Sequence, residues 1–124
     1  MLKDSLYRVK QITNGNNVIA AIVELDKTHE IFKGHFPSQP VLPGVCMLQM
    51  TKEILEDSLH MKLQLIKADE IKFLQMIQPG DNSELLFSIQ YNLSESSTTN
   101  VSAKIIKDEV VCYKLKASYT SAVE

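Results

Sequence analysis

The chain has 124 residues, enough for one domain with one core and too few for two. Its 44% hydrophobic and 23% charged content is that of an ordinary globular protein. A formal charge of −2, no Trp and only 6% aromatic residues exclude the clustered basic surface and stacking platform that nucleic acid requires.

Residues Met1–Leu6 contain no apolar h-region, and no apolar run is long enough to span a bilayer. The two cysteines, Cys46 and Cys112, lack metal-ligand spacing. These features read as a cytoplasmic chain with reduced thiols, no metal and no cofactor.

In chain order, two β-rich runs come first, Leu6 to Ile12 and Val18 to Leu25, around Asn14-Gly15-Asn16-Asn17. An Asn-Gly turn between such runs predicts a β-hairpin. Asp26 to Phe32 is a polar connector with a short helical turn. The next stretch, Gly34 to Val45, reads Gly-His-Phe-Pro-Ser-Gln-Pro-Val-Leu-Pro-Gly-Val. Proline fixes φ and removes a backbone donor, so Pro37, Pro40 and Pro43 stiffen a non-helical loop around His35. The plain reading is a rigid connector with a packed histidine. The other is a titratable group held at a helix N-terminus.

Gly44 to about Leu59 reads as the one long helix. Met47, Leu48, Thr51, Ile54 and Leu55 follow helical period, with Lys52, Glu53 and Glu56 opposite them. Its front half is apolar nearly all round and is expected to be deeply buried. Everything beyond reads as strand: Lys62 to Ile77, Leu85 to Leu93, Thr98 to Ile106 and Val110 to Tyr119. The turns fall at Gln78–Asp81, Ser94–Ser97 and Lys107–Glu109. One helix against one curved antiparallel sheet is an α+β arrangement that leaves a sheet edge or face to be covered, and a dimer covers it. Met47, Met50, Met61 and Met76 read as core, and His29 and His60 as surface or loop residues.

The Pro-loop and helix, with Lys72-Phe73 and the closing Pro79-Gly80-Asp81, resemble the hot-dog-fold (3R)-hydroxyacyl-acyl-carrier-protein dehydratases. The family motif is Gly-His-Phe-Pro-Gly-x-Pro-Val-x-Pro-Gly-Val, and this chain departs from it at Ser38. The resemblance runs from about Leu6 to Tyr119 and lacks the family's N-terminal helical extension. It implies a single hot-dog domain over residues 1–124, with a central helix wrapped by a curved antiparallel sheet. It also implies a homodimer with active sites at its interface, and a 3-hydroxyacyl thioester substrate on acyl carrier protein or coenzyme A.

By resemblance, His35 is the general base, with a reference pKa of about 6.5 suited to neutral pH. The Val41 carbonyl orients its ring, and the Gly44 N–H binds the thioester oxygen, a role that a helix N-terminus suits. Phe36, Pro37, Val41, Pro43 and Val45 are the expected substrate-lining residues. Lys33 and Lys72 are candidates for carrier docking.

One position breaks the pattern. The family carries Glu or Asp fourteen residues after the histidine and commonly Gln one turn later; here the pair is reversed, Gln49 then Glu53. An amide cannot donate or take a proton as a carboxylic acid does. Glu53 shares a helix face with Gln49 and either joins the site or is a solvated charge beside Lys52 and Glu56. Three functions follow: a dehydratase with a rearranged pair, a hot-dog thioesterase using Gln49, or an acyl-binding subunit beside an active partner chain.

Overall fold

The structure, a computed structural model, describes residues 1–33, 40–80, 82–94 and 96–122. The expected His35, Phe36 and Pro37 and the turn residue Asp81 lie outside the described residues.

The hairpin forms as strands β1 (Tyr7–Gly15) and β2 (Val18–Leu25), with the turn one step later than the Asn-Gly signal suggests. Gly15 pairs with Val18, and the turn residues are Asn16 and Asn17, both at positive φ of 54° and 61°. Asparagine tolerates that region, and two such residues match the strand twist of a two-residue hairpin. A 3-10 turn, Glu30–Phe32, follows; His29 caps it by accepting the Ile31 N–H on its ring nitrogen at 3.0 Å.

Helix α1 spans Gly44–Leu59, as the sequence predicts. His60 ends it in the left-handed region at φ 54°, its backbone N–H returning to the Glu56 carbonyl. Strands β3 (Leu63–Phe73), β4 (Glu84–Leu93), β5 (Thr98–Lys107) and β6 (Val110–Ser121) complete one antiparallel sheet in the order β1-β2-β4-β5-β6-β3. Six strands curved around one helix give the hot-dog arrangement.

The core lies between helix and sheet. Alternation on β4 sends Leu85, Phe87, Ile89 and Tyr91 inward, and β2, β5 and β6 supply Ile19, Val23, Val101, Ile105, Tyr113 and Leu115. Against them α1 sets Met47, Met50, Thr51, Ile54 and Leu55. Burying a large side chain of this kind is worth about 1.5–3 kcal/mol, so these central residues hold the helix in place.

Three expectations need correction. Val45, in the front half expected to be buried, is 74% exposed, because it falls on the side of the first helical turn away from the buried Cys46 and Met47. Met76 is exposed rather than core, since it lies past the end of β3. Glu53 is not a solvated charge: it is 1% exposed, three residues after Met50 on the buried face.

Candidate functional site

Pro43 precedes the helix with extended backbone and gives it no side-chain cap. The N–H groups of Cys46 and Met47 both turn back to the Pro43 carbonyl, at 3.0 and 3.3 Å. Among the described residues, none accepts from the N–H of Gly44 or Val45. These donors at the positive end of the helix dipole are unclaimed among the described residues, and the first turn itself carries no acidic side chain. The approach is fixed from outside: the Leu42 N–H donates to the Ile77 carbonyl at 2.8 Å, and both residues are buried.

A reason for glycine at position 44 lies in its neighbour. A Cβ there would sit 2.6 Å from both Cε1 and Cζ of Phe73, well inside contact distance. The Phe73 ring closes over the helix N-terminus and leans on Tyr113, with centroids 5.6 Å apart. Val41, Leu42, Pro43, Gly44, Met47 and Phe73, with Leu74 to Met76, line an open, largely apolar cleft of about 330 Å³. Of the expected substrate-lining residues, Val41 and Pro43 are in this cleft, whereas Val45 beside it faces outward. Lys72 borders the cleft residue Phe73, within 3.8 Å of Glu70.

Gln49 and Glu53 meet one turn into the helix: the Gln49 side-chain nitrogen donates to Glu53 Oε2 at 2.8 Å. The same carboxylate takes three more donors. Leu2 N–H reaches Oε2 at 2.9 Å, Lys3 N–H reaches Oε1 at 2.9 Å, and the Tyr7 hydroxyl reaches Oε1 at 3.0 Å. Burial alone would push this carboxyl upward. The hydrogen bonds from Leu2, Gln49, Lys3 and Tyr7 together outweigh it and hold the pKa below the usual glutamate value. The Tyr7 phenol moves far up, through burial first and the Glu53 charge second. Lys3 extends the clasp with an ion pair to Asp57 at 3.0 Å.

Sequence reasoning missed this clasp because two of its donors are backbone groups, which no residue type announces. The available signal was positional: Glu53 falls on the face of Cys46 and Met50, where a charge needs partners.

The family model for ApeI-like proteins, described as ApeI dehydratase, matches residues 11–113. The 3-hydroxyacyl-acyl-carrier-protein dehydratase FabZ of Shewanella pealeana is 32% identical over 120 residues, covering 85% of this chain and 74% of that protein. The bifunctional enzyme LpxC/FabZ of Bacteroides thetaiotaomicron is 26% identical over 113 residues. That match covers 83% of this chain and only 24% of the relative, so the chain spans about a quarter of that protein's length. The solved dehydratase heterocomplex ApeI:P from Xenorhabdus doucetiae shares the fold, with a TM-score of 0.73 at 20% identity, covering 90% of this chain and 96% of that one.

Proposed function

We propose that this chain, which belongs to the ApeI-like dehydratase family, removes water from 3-hydroxyacyl thioesters to give trans-2-enoyl thioesters. One observation carries the reading: the His35 loop leads directly into a helix whose first N–H groups are unclaimed among the described residues, beside an apolar cleft.

In this mechanism the apolar cleft takes the start of the acyl chain, and the Gly44 N–H receives the thioester oxygen. His35 takes the C2 proton, and negative charge develops on the oxygen that Gly44 holds. The charge then returns to form the C2–C3 double bond as the C3–O bond breaks. The leaving oxygen needs a proton. Gln49 has none to give, and Glu53 is held ionised by its donors. The imidazolium of His35 therefore returns the proton it took, and water leaves. Gln49 orients the hydroxyl as a hydrogen-bond partner.

The acyl group is carried on acyl carrier protein or coenzyme A, in fatty-acid or related lipid synthesis. The single hot-dog domain works as a homodimer. The support for a dimer is β3, a sheet edge that leaves Leu65, Ile66, Ile71 and Phe73 exposed, a row that another chain would cover. Sedimentation of the purified chain is expected to give twice 14.0 kDa. A monomer would point instead to a different partner chain, as in the Xenorhabdus doucetiae heterocomplex.

The deciding assay incubates the protein with a 3-hydroxyacyl carrier thioester and follows both enoyl product and free thiol. Enoyl formation abolished in His35→Ala is the expected result. Thiol release without enoyl would replace the dehydratase with a thioesterase that uses the Gln49 amide. Neither product at any chain length would leave an acyl-binding subunit.

A further inference from the structure

Glu53 is the most heavily bonded side chain in the described structure and does no proton transfer in the mechanism above. Its position still matters to the chemistry. An ionised carboxylate only accepts hydrogen bonds, so the Gln49 atom that contacts it must be the amide nitrogen. This settles the amide orientation on chemical grounds, where electron density alone commonly cannot. With the nitrogen turned to Glu53, the Gln49 carbonyl oxygen is the atom left over. Among the described residues none donates to it, and Gln49 is only half-buried.

Glu53 itself cannot turn. Oε1 is fixed by Lys3 N–H and Tyr7 O–H and Oε2 by Leu2 N–H, donors that come from chain 46 to 51 positions away. The reference frame for Gln49 is thus the N-terminal segment, transmitted through one carboxylate.

We propose that Glu53 is a positioning residue: clasped by the N-terminal segment, it binds one N–H of Gln49 and presents that amide's carbonyl oxygen to the 3-hydroxyl of the substrate. This rests on the dehydratase reading and deepens it. The reversed Gln49-x-x-x-Glu53 pair is then an oriented acceptor with its holder behind it, rather than a misplaced acid.

The test combines a signal that needs no activity with kinetics. The two side-chain NH₂ protons of any glutamine are distinct by NMR, because the amide C–N bond rotates slowly. In the folded wild-type chain those of Gln49 should be separated well beyond that free-amide difference, the one bound to Glu53 shifted downfield. In Glu53→Gln, whose amide offers either atom, the separation should shrink towards the free-amide value. With it, kcat/KM for a 3-hydroxyacyl thioester should fall about 10-fold, the loss of one oriented hydrogen bond. The inhibition constant of a saturated acyl thioester lacking the hydroxyl should stay within about twofold, since a hydroxyl contact is worth nothing to it.

A Gln49 separation no larger than that of a free amide in the wild type would overturn the proposal without any variant. Unchanged Gln49 signals in Glu53→Gln would do the same. So would signals that move to the free-amide separation with undiminished kcat/KM, or a parallel loss of affinity for the saturated analogue, which marks a general structural effect. A wild-type chain without dehydration activity removes the dehydratase reading and with it Glu53's catalytic relevance, while the NMR signals still report separately on the Glu53–Gln49 bond.

Discussion

Replacing Glu53 by Leu isolates what the buried carboxylate contributes to stability. Leucine fills a similar volume, so the substitution removes acceptors without opening a cavity. Four donors lose their partner: the hydroxyl of Tyr7, a residue 2% exposed, and the N–H groups of Leu2, Lys3 and Gln49 on half-buried residues. A fully buried orphaned hydroxyl costs about 1–3 kcal/mol, and water relieves part of the rest, leaving roughly 0.5 kcal/mol or more for each. The total is about 3–4 kcal/mol. For a chain of this size, at roughly 4 °C per kcal/mol, Tm should fall about 12–16 °C at pH 7.

Glu53→Gln keeps one acceptor oxygen and should lose about half as much. The pH dependence adds a sign test. The folded-state pKa of Glu53 lies below its unfolded value, so its ionised form stabilises the fold above the unfolded pKa near 4.5. That stabilisation is lost as pH falls through the lower folded value. The gap in Tm between wild type and Glu53→Gln should therefore shrink below about pH 4.5. Thermal melts followed by circular dichroism at pH 7, 5 and 3.5 measure both effects. A Glu53→Leu chain melting within about 2 °C of wild type at pH 7 would refute the clasp as a stabilising unit.

Gly44→Ala should cost about 1–3 kcal/mol in urea unfolding, because its Cβ meets the Phe73 ring at 2.6 Å, and under 1 kcal/mol in a Phe73→Ala background. Equal costs in the two backgrounds would show that the ring is not the reason for glycine. Gln49→Glu restores the family carboxylate but sets it against Glu53, where two like charges raise one pKa of the pair. A raised folded pKa makes stability fall as pH rises through it, so this variant alone should melt lower at pH 8 than at pH 5.5; an unchanged Tm would contradict the contact. Ile66→Glu, on the exposed apolar row of the β3 edge, should weaken self-association at least about 10-fold in sedimentation, and an undisturbed dimer would place the interface elsewhere.

Most of the fold was legible because its signals are local and periodic. The helix bounds at Gly44 and Leu59 came from apolar spacing, and the β4 strand from the alternation of Leu85, Phe87, Ile89 and Tyr91. The hairpin turn shifted by one residue pair because two consecutive asparagines satisfy positive φ as well as Asn-Gly does. At the site, residue types exposed the anomaly at Gln49 and Glu53 but gave no resolution of it. The resolution depends on backbone N–H groups of Leu2 and Lys3, placed by tertiary folding. Phe73 was legible as part of a motif, while its ring over Gly44 was not, since side-chain approach across elements leaves no periodic trace.

The strand order has a consequence for how the chain is made. β3 leaves the helix and pairs only with β6, with two strands between them along the chain, so Phe73 finds its partner Tyr113 about 40 residues later. A ribosome adding about 5–20 residues per second delivers that partner several seconds after β3 has emerged. Through that interval β3 has neither of its flanks covered, and its Leu65, Ile66 and Ile71 remain exposed even in the finished chain. The charges along it, Lys67, Asp69, Glu70 and Lys72, would then guard a nascent strand against sticking to others before its own neighbour exists.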